Sequence, residues 1–196
     1  SLEIVMPKLE ELYKTKVRHY VVQKHTELVC EQFEKYPFCF NSEYLSIDMM
    51  RIILAIHDLG KAIDRSNQHE YTLALIKELW TLTPFTQYEL NIAEALLKND
   101  NIGSYFKGKY NLEDLVKEII EDAESLKIPA KVLFEYKMTL YQCDISSYTK
   151  DAGGLAYLEP MFEYDNNEKV FNNEDGIISM SPEYATKYNQ LKLEIY

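Results

Sequence analysis

The chain has 196 residues, is 46% hydrophobic and 27% charged, and carries a net charge of −11 with a pI of about 4.9. That suits one domain, or one domain with a modest appendage, large enough to bury roughly 70% of its unfolded surface. It counts against duplex nucleic acid as a partner, because affinity there comes from Lys and Arg neutralising phosphates. A small phosphorylated ligand needs only one or two local cations and stays open.

Cys30, Cys39 and Cys143 form no CxxC pair and are odd in number, which suits a reducing compartment, and the expected location is cytoplasmic. No signal peptide and no apolar run of about 18 residues is found, so neither secretion nor a membrane span is expected. The six glycines form no GxGxxG, GxxxxGK[ST] or GxSxG pattern, which removes the main support for dinucleotide, P-loop and hydrolase-elbow chemistry.

Helical periodicity dominates to about residue 149, and an all-α bundle of six or more helices is expected. The first helix runs over about Leu9 to Tyr36, with a break near Lys14 to Lys16. The second covers about Ser46 to Asp58, with Gly60 as its C-terminal stop. The third starts near Ser66 or Asn67 and carries Leu73, Ile76 and Trp80. Thr83-Pro84 reads as a cap and first helical position for a fourth helix ending near Lys98. Asp100 to Tyr110, with Gly103 and Gly108, reads as a loop. Asn111 opens a fifth helix through Lys127, and Ile128-Pro129 opens a sixth to about Tyr148. After Gly153-Gly154, residues 155–180 contain YDNNEKVFNNEDG, which suits a hairpin or irregular flap. Ser181-Pro182 then starts a final helix. The expected division is a helical metal-binding domain over residues 1–150, with residues 151–196 as an appendage packed on it.

The polar residues that matter sit on apolar faces. His25 has Val21 and Val22 one turn before it and Leu28 and Val29 one turn after. His57 follows Met50, Ile53 and Leu54 at the same spacing, and Asp144 follows Leu133, Tyr136 and Leu140. Asp58 adjoins His57 at a helix end, where the backbone can turn both toward one point. A buried, unpaired carboxylate costs several kcal/mol. The plain alternative is an inward-pointing cation, but only Arg51 and Lys61 are near. One divalent cation satisfies all four groups, and His with carboxylate oxygen suits Mn, Fe, Co, Ni, Zn or Mg.

The order His25, then His57-Asp58, then Asp144 resembles the H…HD…D signature of the HD-domain metal-dependent phosphohydrolase superfamily. The resemblance covers about residues 18–149, and HDLGK is its most specific piece. It implies an all-helical bundle in which His25, His57, Asp58 and Asp144 hold one metal, with Asp58 also at the chemistry. It further implies that Lys61, as in the HDxGK branch, and His69, in the first turn of the third helix, lie close to a substrate phosphate. A helix N-terminus also favours an anion. In bacterial 5′-nucleotidases of the superfamily a glutamate stands where this chain has Lys61, a departure from that subgroup.

His19, one turn from Gln23, reads as surface. No histidine follows His69, whereas binuclear HD phosphodiesterases and di-iron HD oxygenases usually supply more. A second metal would have to draw on Asp100, Glu94 or Asp64, and a mononuclear site is favoured. Asp100 and Lys107 are candidate substrate contacts; their loop, like Tyr148 and Lys150 just past Asp144, is placed to lie over the pocket.

The expected function is therefore hydrolysis of a nucleotide or other small phosphate ester by a metal-activated water. Three other activities compete with it. One is an HD-fold metal- or nucleotide-binding regulatory module without turnover. Another is an HD-type nuclease, disfavoured by the acidic surface; the last is a di-iron oxygenase. The sixteen tyrosines, with the aromatics of the appendage, suit either a homodimer contact or a lid.

Overall fold

The computed structural model describes residues 2–17, 20–35, 40–147, 164–165, 168–169 and 180–196. His19, Cys39, Tyr148, Lys150 and the expected boundary at residue 150 lie outside them. The described chain is an all-α bundle. Its helices are α1 (Leu2–Lys14), α2 (Val22–Lys35), α3 (Ile47–Ile56), α4 (Leu59–Ile63), α5 (Gln68–Trp80), α6 (Gln87–Leu97), α7 (Asn101–Phe106), α8 (Leu112–Leu126), α9 (Ala130–Ser146) and α10 (Pro182–Ile195). Two short antiparallel hairpins complete it: β1 (Lys16–Val17) with β2 (Tyr20–Val21), and β3 (Tyr164–Asp165) with β4 (Glu168–Lys169). No described helix is long and apolar enough to cross a membrane.

The centre is α2 packed on both α3 and α9, with α6 and α8 closing around α9. Val22, Val29, Ile53, Leu54, Leu133 and Tyr136 are fully buried there. This is the outcome expected of apolar residues at i, i+3, i+4 and i+7. The final helix α10 lies against α7, α8 and α9, and its Leu191 is fully buried.

Several expectations are corrected by local chemistry. The break expected near Lys14 to Lys16 is present, but it extends through the β1–β2 hairpin, so Tyr20 stands on a strand and not on a helix face. Gly60 does not stop a helix but sits inside α4, where a Cβ would lie 1.8 Å from the Gln68 carbonyl oxygen. Its lack of a side chain lets α4 and α5 touch, and its N–H donates to Thr72 Oγ1 at 3.0 Å. Thr83-Pro84 does not cap α6. The Thr83 hydroxyl turns back to the Trp80 carbonyl, and Thr86 forms a reciprocal capping box with Glu89. The expected loop after Asp100 contains α7, because Asp100 caps it by accepting from the Gly103 N–H at 3.1 Å. Gly108, at φ +75°, follows α7 in the left-handed region that favours glycine.

Other boundaries follow the capping signals in the sequence. Ser46 accepts from Met49 N–H at the start of α3, and Asn111 accepts from Asp114 N–H at the start of α8. Proline is at the first position of α10, as Ser181-Pro182 suggested.

Candidate metal centre and its cleft

His25 lies in the first turn of α2 and is fully buried. Its Nδ1 is 2.8 Å from Ser147 Oγ, whose proton is given to the Asp144 carbonyl, so Nδ1–H donates to the hydroxyl. His57 closes α3, with Nδ1 2.6 Å from the Leu54 carbonyl, which can only accept. Both rings therefore carry a proton on Nδ1, and that anchoring aims each Nε2 at the same place.

Two carboxylates meet them. Asp144 Oδ1 is 2.8 Å from His25 Nε2 and 3.2 Å from His57 Nε2. Asp58 Oδ2 is 3.3 Å from His25 Nε2, and its Oδ1 is 3.7 Å from His57 Nε2. Asp58 occupies the N-cap position of α4 yet makes no side-chain capping bond. Its carboxylate instead accepts from Tyr20 OH at 2.8 Å and from Lys61 Nζ at 2.9 Å. One donor atom from each of His25, His57, Asp58 and Asp144 lies within 4.8 Å of the others. No other group of three or more such residues is found among the described residues.

This donor set fits a divalent cation. Two imidazole nitrogens oriented from behind and two carboxylates form an N/O environment of the kind borderline and hard divalent ions accept. Without a metal, the four groups must share protons. Burial disfavours a charged His57, but the charge of Asp58 and the hydrogen bond to Asp144 outweigh it and push the imidazolium up to about 9. Burial also acts against the carboxylates; the histidines and, for Asp58, Lys61 overcome it and hold both acids below the usual carboxylate range. Lys61 is shifted upward: burial opposes its charge, while Asp58 and Asp144 support it.

Beside the cluster opens a cleft lined by His57, Asp58, Lys61 and Asp144 at one end. The side chain of Asp144 is 24% exposed, the most open of the four, as befits a candidate ligand at the mouth of that cleft. Gln68 and His69 from α5, Asp100 at the start of α7 and the α9 residues Lys137 and Tyr141 form further walls. Burial lowers the His69 imidazolium, so its ring is neutral near pH 7, with Nδ1 3.1 Å from the Leu97 carbonyl. The expected anion-balancing charge at this position is therefore carried by Lys61, and His69 contributes a neutral ring to the wall. The Asp100 carboxyl is pushed up to about 6 by burial and then by the charge of Asp144. Lys107 ends α7, is exposed, and is not among the residues lining the cleft.

Arg51, the other nearby cation, instead pairs with Glu34 and Asp48 at the surface. Glu94 faces Lys77, and Asp64 is tied to Ser66 and Asn67; neither joins the cluster. Three contributors escaped sequence reasoning. Tyr20 had no visible period because a strand carries it. Ser147 looks like an ordinary helix end. Lys137 was detectable, since it lies two turns before Asp144 on the stripe of Leu133 and Leu140.

Compared with protein-family models, with curated proteins and with solved structures, the chain has no match in any of the three.

Proposed function

We propose that this protein is a mononuclear, metal-dependent phosphohydrolase of the HD type, acting on a nucleotide or another small phosphate ester. The observation that carries it is the convergence of His25 Nε2, His57 Nε2 and the two carboxylates at the end of a cleft, each histidine fixed from behind. These four residues would hold a divalent ion, which supplies Lewis acidity and a water of lowered pKa.

The remaining work falls to the chain. Lys61 keeps its ammonium at the cleft end of Asp58, 3.4 Å from Tyr20 OH, and balances charge that develops on a phosphoryl group. Asp58, held as a carboxylate by Tyr20 and Lys61, orients the attacking water by accepting its proton in a hydrogen bond. His69, neutral and anchored through Nδ1, presents Nε2 as an acceptor able to take a proton from water or substrate. The walls at Leu96, Leu97 and Leu140 limit access of bulk water.

The test is elemental analysis of the purified protein, then phosphatase and phosphodiesterase screening after EDTA treatment with Mn, Mg, Co or Ni restored. About one metal per chain with metal-dependent phosphate release is expected, and Asp144→Ala should lose both. A chain that takes up no metal and releases no phosphate under any of these conditions would refute the proposal.

A further inference from the structure

The cleft runs past the candidate metal centre to an inner end whose chemistry differs. On α9, Lys137, Tyr141 and Asp144 stand at i, i+4 and i+7 and form one stripe along the cleft. Seven residues at 1.5 Å each separate Lys137 from Asp144 by about 10 Å along the helix, comparable with the reach of a mononucleotide from phosphorus to base edge.

Both inner residues are donors with capacity to spare. Lys137 is only 8% exposed, and its ammonium donates to the Ala95 carbonyl at 3.1 Å. An ammonium has three protons to give. The Tyr141 hydroxyl is buried and has no hydrogen-bond partner among the described residues, although its ring stacks on Phe106 at 5.0 Å. A buried hydroxyl without a partner is uncommon and points to a group yet to be bound, water or ligand. Burial keeps this phenol protonated, so it remains a donor. Asp100, at the start of α7, interacts electrostatically with both residues and supplies an acceptor.

The same surroundings argue against a second phosphate at this end. Glu118, Asp122 and Asp100 act on Lys137, and Lys98 pairs with the first two, so three carboxylates stand against two ammoniums and the excess of one negative charge disfavours a polyanion. A neutral carbonyl meets no such repulsion. The apolar flanks, Leu96, Leu115 and Leu140, suit a flat ring.

We propose that Lys137 and Tyr141 are specificity-determining donors that read the carbonyl of a keto nucleobase, with Asp100 accepting its adjacent ring N–H. The inference rests on the phosphohydrolase reading and narrows it to nucleotides whose base carries a lactam edge, a carbonyl beside an N–H. Bases with an amine beside a bare ring nitrogen present the opposite pattern: they leave Lys137 and Asp100 mismatched and offer no acceptor for the Tyr141 proton. Such a mismatch is discriminating because buried polar groups then go unpaired.

Two matched pairs test this: UMP against CMP, and IMP against AMP, each exchanging a carbonyl for an amine. Initial-rate kcat/KM with metal restored is the main readout, and calorimetric titration of EDTA-treated protein, which avoids turnover, reads base recognition without the metal's hold on the phosphate. Inorganic phosphate serves as the control for the metal end. A preference of about tenfold or more for the keto member is expected in at least one pair. Tyr141→Phe, which removes only an unpartnered hydroxyl, and Lys137→Met should each shrink that ratio. Nucleotides bound or hydrolysed with no preference in either pair would overturn this inference and leave the phosphohydrolase standing, and so would a ratio untouched in Tyr141→Phe. The wild-type comparison stands even if Lys137→Met does not fold. If no nucleotide and no phosphate binds, with or without metal, the function proposed above and this inference fail together.

Discussion

Without a metal, the stability of this protein should fall with rising pH, and adding a divalent cation should cancel that trend. The His57 imidazolium, with a reference value of 6.5, is pushed up to about 9 because, against the cost of burial, Asp58 and Asp144 support its charge. A folded-state value above the unfolded one contributes stability that is fully present below pH 6.5 and lost as pH rises through 9. At 1.36 kcal/mol per unit, the span from 6.5 to about 9 corresponds to about 3 kcal/mol, a large share of a typical domain's stability. A divalent cation must displace that proton to reach Nε2, so metal-induced stabilisation should grow over the same window. The assay is urea unfolding of EDTA-treated protein at pH 6, 7.5 and 9, repeated with Mn, Co or Ni added. His57→Asn should flatten the metal-free pH dependence and lose the metal response. Metal-free protein as stable at pH 9 as at pH 6, with a metal gain that ignores pH, would mean that the four groups do not share protons as their geometry implies.

Three further substitutions probe the surroundings of the site. Lys61→Met removes the ammonium 2.9 Å from Asp58 but none of the four metal-directed atoms. Metal content should therefore survive while kcat drops by roughly 10²-fold, the scale of losing one charge-stabilising donor, and equal loss of metal and activity would make Lys61 a structural support for Asp58 instead. Gly60→Ala places a Cβ 1.8 Å from a backbone oxygen of α5, which cannot swing aside, so urea unfolding should show a loss of about 3 kcal/mol or more; a loss well under 1 kcal/mol would contradict the close approach. Asp100→Asn keeps an acceptor for the Gly103 N–H and removes a carboxylate whose ionisation is opposed by burial and Asp144. Because the folded value is raised to about 6 from 3.8, wild-type stability declines as pH rises through that range. The Asn variant should be the more stable protein at pH 7.5 and lose that advantage near pH 4, as read by thermal unfolding at each pH.

What the sequence made legible was set by period. His25, His57 and Asp144 each interrupt an apolar stripe at helical spacing, and a polar residue there must be satisfied by something; the structure brings all three together with Asp58. Caps made by a single side chain one turn ahead, such as Ser46 and Asn111, were also readable. The misses came where tertiary contact outweighed local signal. Gly60 looks like a helix stop because glycine so often ends helices, but here the missing Cβ serves the contact with Gln68. Asp100 opens a helix too short to show a period, and Tyr20 reaches Asp58 from a hairpin that follows no helical spacing. Lys137 lay in plain view on the Asp144 stripe, but one lysine among apolar residues is usually a side chain that reaches solvent. Its burial could be known only from the packing of α6 and α8 against α9.

The charges at the site bear on how a chain of net charge −11 could attract the anionic substrate proposed above. In the metal-free protein the two carboxylates are offset by Lys61 and one imidazolium, so the cluster is close to neutral. Replacing that imidazolium's proton with a divalent cation leaves the same two carboxylates against the cation and Lys61, an excess of about one positive charge by formal count. That excess sits at the end of a partly apolar, sheltered cleft, where field lines concentrate and screening by salt is weaker than at the surface. The surface repels large polyanions, while the cleft, once loaded, favours a small one. This selectivity by size needs no basic stripe on the surface. It also predicts that inorganic phosphate protects the metal-loaded protein against thermal unfolding but leaves the EDTA-treated protein unchanged. Equal protection of both forms would place the anion site away from the cluster.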